Sequence, residues 1–222
     1  MYKTEDLLTE HVMKELNCGS LFSASRKLET KTVILNEVSL GYGVADIVVA
    51  EISTAHEVNP RELTSADLFV YDCVANCPGQ DFVGLASSTK IQPKTLKQAL
   101  ARLEACCYVE AWDDKFYNSK KYEFCYSESV AIEVKLTNWK RALRQAHRYK
   151  WFAERSFVCI PEDNASQAIN HLDTFRQLSV GLMTLTQSRT LSIIFEPDAE
   201  KPINTVMKMM LNEELLTRLG DA

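Results

Sequence analysis

Hydrophobic and polar residues alternate along this chain with two periods, one typical of helices and one typical of strands. Runs rich in valine, isoleucine and leucine predict strands near 31–40, 44–52, 129–136, 156–160, 180–185 and 191–195. Apolar residues at helical spacing predict helices over 5–16, 138–153, 164–172 and 203–219. The first two strands flank Gly41-Tyr42-Gly43, which predicts a hairpin turn. Strands that alternate with helices predict an α/β fold.

The segment 57–127 has a different pattern of helices and polar turns. It predicts helices over 64–76, 81–87 and 93–105, followed by a hairpin with Asp113-Asp114 at its turn. Three helices and a hairpin resemble a winged helix-turn-helix, in which the third helix reads nucleic acid. The nucleic-acid contacts predicted on this resemblance are Lys90, Lys94, Lys97, Gln98 and Arg102. The alternative is a solvated basic face on a protein–protein interaction module.

Composition and charge narrow the class of protein. The chain has 222 residues, 46% of them hydrophobic and 25% charged, with a formal net charge of -5. This is an ordinary globular composition, and it argues against indiscriminate coating of nucleic acid or anionic membranes. The acidic N-terminus lacks the apolar core of a signal peptide, so we expect a cytoplasmic protein. Seven cysteines without compact paired spacing favour reduced thiols over a zinc site.

An acid and an amine lie two residues apart in the predicted strand 131–136. Because side chains alternate along a strand, Glu133 and Lys135 share one face, while Ile132 and Val134 share the other. Burying such a pair costs free energy unless the two groups serve chemistry, bind a metal or neutralise each other. Asp46 is a second polar residue inside an apolar run. These three side chains are therefore candidates for a functional site.

The predicted helix after this strand carries most of the positive charge of its region. From Lys135 to Arg155 the chain has seven Lys and Arg residues and one acid, Glu154. The predicted phosphate contacts on this helix are Lys140, Arg141, Arg144 and Arg148. Positive charge beside a strand that carries carboxylates indicates phosphate neutralisation near a metal ion.

These residues resemble the PD-(D/E)XK nuclease superfamily, which has the restriction-endonuclease-like fold. The resemblance is carried by Asp46 within Gly43–Val48, by Glu133-Val134-Lys135, and by Gln145 and Tyr149 in a Q-x-x-x-Y pattern. It implies a mixed central sheet flanked by helices. The implied core is discontinuous, comprising residues 1–56 and 128–222, with the winged-helix-like module inserted at 57–127.

The resemblance also implies a metal-dependent DNA endonuclease. Asp46 and Glu133 would bind Mg²⁺ or Mn²⁺, Lys135 would activate water or stabilise charge on the phosphate, and Gln145 would orient the site. Similar proteins often take a further acid from the first helix, for which Glu15 is the first candidate, followed by Glu37 and Glu5. The alternative is a non-cleaving DNA-binding regulator or protein-interaction module on the same fold.

The expected partner is DNA, with RNA as an alternative and no membrane. The Met-rich apolar stripe on the final predicted helix indicates either core packing or a homodimer interface.

Overall fold

The structure is a computed structural model that describes residues 2–18, 30–41, 43–53 and 63–220. Residue contacts divide the chain into two compact units. The first comprises residues 1–57 and 126–203, and the second comprises residues 58–125 and 204–222. Tyr42, part of the predicted hairpin turn, lies outside the described residues.

The first unit is an α/β unit built on a mixed six-stranded sheet. Its strands are β1 (Thr30–Ser39), β2 (Val44–Ser53), β6 (Tyr126–Val134), β7 (Arg155–Pro161), β8 (Gly181–Leu185) and β9 (Leu191–Phe195). They stand in the order β1-β2-β6-β7-β8-β9, in which β6, β7 and β8 are parallel and the other neighbours are antiparallel. The helices are α1 (Glu5–Cys18), α5 (Trp139–Tyr149), α6 (Ser166–Asn170) and α7 (Leu172–Gln177). The predicted α/β class and mixed sheet are confirmed.

One face of this sheet packs against α1. Leu8, Val12 and Leu16 recur every four residues, so they share one face of the helix. They join a buried cluster with inward residues of the strands, including Ile47 and Ile132. The helix α5 connects the parallel strands β6 and β7, and its N-cap is Asn138, whose side chain accepts a hydrogen bond from Arg141 N.

The second unit consists of helices around a small three-stranded sheet. Its elements are α2 (Ser65–Asn76), β3 (Gln80–Asp81), α3 (Phe82–Thr89), α4 (Pro93–Ala105), β4 (Val109–Trp112), β5 (Lys115–Asn118) and α8 (Thr205–Gly220). The sheet order is β3-β5-β4. Thr64 and Asp81 cap the helices that follow them, and Pro93 opens α4. The predicted helices begin where these capping signals place them.

Two features of the fold differ from the sequence predictions. The single helix predicted over 164–172 is a 3-10 turn, Glu162–Asn164, followed by the short helices α6 and α7. Residues 204–222, predicted to complete the core, belong to the second unit, where α8 packs against α2. An apolar stripe shows that a helix buries one face, but it does not identify the surface that covers it. Five apolar residues of α8 are buried, and one of them, Met209, belongs to the buried cluster of this unit.

Candidate active site

Pairing between β2 and β6 brings Asp46 and Glu133 together. Ile47 lies opposite Ile132, and Val48 lies opposite Ala131. One step further along the same antiparallel register, Asp46 lies opposite Glu133, so both side chains project from the same face. The isoleucines alternate to the other face and join the core against α1. The 86 residues between the two acids therefore do not separate them in space.

Lys135 follows the last residue of β6, and its ammonium group lies among three carboxylates. Its Nζ is 3.0 Å from Glu133 Oε1, 3.1 Å from Glu5 Oε2 and 3.7 Å from Asp46 Oδ2. A hydrogen bond of 3.0 Å from Lys135 N to Cys159 O holds the backbone at this point. When all four groups are ionised, three carboxylates face one ammonium, which leaves an excess of two negative charges.

Glu133 is the most buried member of the cluster, with a side chain only 1% exposed. Burial raises the pKa of its carboxyl, an effect that the hydrogen bond with the Tyr149 hydroxyl opposes. This hydroxyl contacts both Glu133 Oε2 and, at 2.7 Å, the carbonyl oxygen of Val44. A hydroxyl carries only one proton. Its single proton is therefore shared between two acceptors, Glu133 Oε2 and the Val44 carbonyl oxygen.

Asp46 and Lys135 are partly exposed at the end of the same cluster. Burial raises the pKa of Asp46, although its Oδ2 accepts a 2.7 Å hydrogen bond from Val134 N, which lowers it. Burial by itself would lower the pKa of Lys135, but the carboxylates of Glu133 and Asp46 outweigh that effect and raise it. Lys135 is therefore held in its protonated form.

The first-helix acid that reaches Lys135 is Glu5, which was placed behind Glu15 and Glu37 in the sequence prediction. Glu5 lies at the start of α1, and besides the ion pair its Oε1 accepts a hydrogen bond from Leu136 N at 3.4 Å. Glu15 lies ten residues later, which is about 15 Å along the helix axis. Glu37 lies on β1 and is exposed, with φ of 50°. Only the folded position of α1 decides which of its acids meets β6.

Gln145 lies one helical turn before Tyr149 on α5, so the two side chains share a face. Its Oε1 is buried and has no hydrogen-bond partner among the residues that the structure describes. A buried acceptor without a partner costs about 1–3 kcal/mol. Ordered water, an ion or a ligand can satisfy such a group.

Four cations of α5 are exposed: Lys140, Arg141, Arg144 and Arg148. No carboxylate of the described ranges lies within 4.0 Å of any of them. The Arg148 guanidinium lies beside the start of β2, 3.8 Å from the position that a Cβ on Gly43 would take. By contrast, Lys150 pairs with Glu200 at 3.2 Å and Arg155 pairs with Glu128 at 2.6 Å. The unpaired cations thus form an exposed surface on the helix that also carries Gln145 and Tyr149.

In the second unit, four of the five predicted nucleic-acid contacts are exposed: Lys90, Lys94, Lys97 and Gln98. Arg102 is different, because its Nε and NH2 each bind a carboxylate oxygen of Asp67 at 2.8 Å. Asp67 is fully buried and also closes the capping box with Thr64 at the start of α2. Arg102 therefore has a structural partner in Asp67, and its contact with nucleic acid stays a prediction.

The donor set of the first unit suits a hard divalent cation. Carboxylate oxygens are the ligands that Mg²⁺ and Mn²⁺ prefer. When all four groups are ionised, the two excess negative charges of the cluster would be neutralised by one divalent cation. In this structure the ammonium group of Lys135 lies between the carboxylates. Within the described ranges, no group of three or more His, Cys, Asp or Glu has the spacing of a metal site. Six cysteines are free thiols: Cys73, Cys77, Cys106, Cys107, Cys125 and Cys159.

Comparisons with family sequence models, with curated proteins and with solved structures give no match to this chain. Within the described residues, no helix combines the length and apolar character needed to cross a bilayer.

Proposed function

We propose that this chain is a metal-dependent nuclease that hydrolyses phosphodiester bonds in DNA. Its first unit would be a PD-(D/E)XK-like core with the restriction-endonuclease-like fold, and its second a winged-helix-like module. The observation that carries the proposal is the convergence of Glu5, Asp46 and Glu133 on Lys135, together with the contact from Tyr149 that links this cluster to the cation-bearing helix α5. Excess negative charge beside unpaired positive charge suits a divalent cation and a phosphate together.

Asp46, Glu133 and Glu5 are the residues that would hold Mg²⁺ or Mn²⁺. A bound divalent cation polarises a phosphoryl oxygen and lowers the pKa of bound water. Lys135 remains protonated because its neighbours raise its pKa, so its role is to stabilise negative charge rather than to accept a proton. The side-chain oxygen of Gln145, buried on the same face of α5 as Tyr149, is an acceptor that can orient a donor at the site.

The exposed cations of α5 would bind the nucleic-acid backbone. Lys140, Arg141, Arg144 and Arg148 are not paired with carboxylates of the described chain, so they can neutralise phosphates without breaking an existing ion pair. Contacts of this kind position a duplex and carry no sequence information. Lys94, Lys97 and Gln98 on α4 would supply contacts from the second unit.

Plasmid nicking tests the proposal. Supercoiled DNA is incubated with the purified protein in Mg²⁺ or Mn²⁺, in parallel with Asp46→Ala, Lys135→Ala and Glu5→Gln. We expect each substitution to slow nicking by at least about 100-fold, and EDTA to abolish it. Glu10→Gln, on the same helix but paired with Lys14 at its surface, is the matched control. Equal nicking by all variants would show a contaminating nuclease.

Two further measurements sharpen this test. Titration calorimetry with Mn²⁺ reports cation binding without catalysis, and Asp46→Ala should lose it. Loss of nicking in Glu15→Gln with retention in Glu5→Gln would overturn the assignment of Glu5. The same reactions on single-stranded RNA decide between the two nucleic acids.

The second candidate is a protein that binds DNA without cleaving it. The observation that favours it is the network around Glu133, in which the Tyr149 hydroxyl donates to Oε2 and the Lys135 ammonium forms an ion pair with Oε1. If the protein binds DNA without cleaving it, the cluster is an internal ion pair. We then expect Asp46→Ala to leave duplex binding unchanged. Absence of nicking with every divalent metal, together with duplex affinity that depends on Arg144 and Arg148, would establish it.

A further inference from the structure

A groove in the second unit lies between the start of α3 and the β4–β5 hairpin. Its apolar lining comes from Phe82, Val83, Ala111 and Phe116. Val83 is 73% exposed, and Trp112 on the same hairpin is 74% exposed; these are the two most exposed large hydrophobic residues of the described chain. Exposed apolar surface of this kind is typical of an interaction site.

The rim of the groove is negatively charged. Asp113 and Asp114 form the β4–β5 turn with φ of 52° and 58°, and neither has an ion-pair partner within the described ranges. Asp81, the third carboxylate at the groove, caps α3 by accepting a hydrogen bond from Gly84 N at 2.7 Å. Lys97 is a cation on the α4 side, 5.8 Å from the centre of the Phe82 ring. Carboxylates at the tip of the hairpin repel phosphates, so this end of the unit suits a cationic protein surface.

The chain itself carries a surface of complementary charge. The unpaired cations of α5 include three arginines, Arg141, Arg144 and Arg148. Arginine forms bidentate bonds with carboxylates and also stacks on aromatic rings, so it suits the aspartates and Trp112 at the same time. We propose that the β4–β5 hairpin of one copy docks on α5 of a second copy of this chain.

Such a contact is reciprocal in a two-fold dimer, because each copy supplies one hairpin and one helix. It covers the cations that would otherwise bind phosphate, so duplex DNA and self-association compete for α5. This competition rests on the proposed function, whereas the self-association does not.

Sedimentation velocity over a concentration series tests the association without any catalytic readout. We expect a dimer in about 50 mM salt that weakens in about 500 mM salt, because exposed ion pairs are screened. We expect association to weaken by about tenfold or more in each of two double variants. The first is Asp113→Lys with Asp114→Lys, and the second is Arg144→Glu with Arg148→Glu. An equimolar mixture of these two double variants should associate again, since each then meets a surface of opposite charge.

The matched control is Glu162→Lys with Asp198→Lys, which makes the same change in net charge at exposed sites of the first unit. It should sediment like the natural chain, and circular dichroism checks that every variant is folded. A natural chain that is monomeric at all concentrations in low salt overturns the proposal. The proposal is also overturned if the mixture of the two double variants stays monomeric, or if the control variant dissociates as the hairpin variant does.

Discussion

At the scale of single residues, the environment of Glu133 is the most informative feature of the candidate site. Its carboxyl is buried, contacts Lys135 and Tyr149, and has a raised pKa because burial disfavours its charged form. A carboxylate kept only for stability would be expected to have a lowered pKa, since its partners would favour the charged form. The direction of the shift therefore indicates that the charged form of Glu133 costs stability at neutral pH.

We expect Glu133→Gln to leave the free energy of unfolding unchanged or higher near neutral pH. A carboxyl with a raised folded pKa loses stability as the pH rises from its unfolded pKa through its folded one, and the neutral amide avoids that loss. Any gain in the unfolding free energy of Glu133→Gln should disappear below the unfolded pKa of the glutamate. Urea denaturation of both proteins at neutral and acidic pH measures this difference. A loss of about 3–5 kcal/mol at neutral pH would instead identify a structural ion pair.

We expect Tyr149 to act on the site by holding Glu133 in one orientation. Tyr149→Phe removes the hydroxyl that contacts Glu133 and the Val44 carbonyl, so we expect a loss of about 1–3 kcal/mol in unfolding free energy. It should also weaken Mn²⁺ binding, because the carboxyl is no longer held in one orientation. Chemical denaturation and titration calorimetry measure the two effects. Unchanged Mn²⁺ affinity with reduced stability would limit Tyr149 to a structural role.

At the scale of elements, α5 combines a buried face with a cationic one. Ala142, Leu143, Ala146 and Tyr149 are buried, while the four unpaired cations are exposed on the rest of the helix. Polar and apolar residues segregated in this way let one helix pack on the sheet and present charge outward.

We expect Arg144→Ala and Arg148→Ala each to weaken duplex binding and to reduce the slope of log affinity against log salt by about one. Both side chains are exposed, so stability should change by less than about 0.5 kcal/mol. Lys150→Ala is the control, because Lys150 on the adjoining turn pairs with Glu200. Fluorescence anisotropy in a salt series measures the slopes. A similar slope change for Lys150→Ala would contradict a specific role for the exposed face.

The helix α4 contains one cation whose role differs from that of its neighbours. Arg102→Ala removes the bidentate partner of buried Asp67, and we expect it to cost about 2 kcal/mol of unfolding free energy, discounted for the partial exposure of Arg102. Lys94→Ala, on an exposed position of the same helix, should leave stability unchanged and weaken nucleic-acid binding. Thermal denaturation distinguishes the two. Equal stability of both variants would contradict the structural role of Arg102.

At the scale of the whole molecule, the second unit is completed by the C-terminal helix. Residues 58–125 and 204–222 share one core, in which Met209 of α8 is buried beside Tyr122. Asn212 Oδ1 also accepts a 2.7 Å hydrogen bond from Cys125 N. The chain therefore crosses into this unit twice, and the segment 58–125 lacks part of its core without α8.

Truncation after Ile203 should unfold the second unit and leave the six-stranded sheet folded. Removing α8 exposes the apolar surface of α2 and leaves the buried Tyr122 hydroxyl without Met209 and Asn212. Hydrogen exchange measures this: we expect amides of α2 and α4 to exchange rapidly and those of β6 and β7 to stay protected. Protection of α2 and α4 in the truncated chain would contradict the assignment.

The sequence alone predicts most elements and the candidate acids, because periodicity, capping residues and turn residues act locally. Helix α4 has the predicted bounds, and α5 lies within the predicted range 138–153 with Asn138 as its N-cap. Glu133, Lys135 and Asp46 stand out because a charged residue inside an apolar run is costly, and that cost can be read from neighbours in the chain.

Only the tertiary structure decided which groups meet. Glu5 rather than Glu15 reaches Lys135 because the position of α1 against the sheet, and not its sequence, selects the acid. Arg102 is bound to Asp67, 35 residues away, and α8 joins a unit whose first segment is residues 58–125. Local patterns set the periodicity of an element and the charge on its faces, but the partner of each face depends on long-range packing.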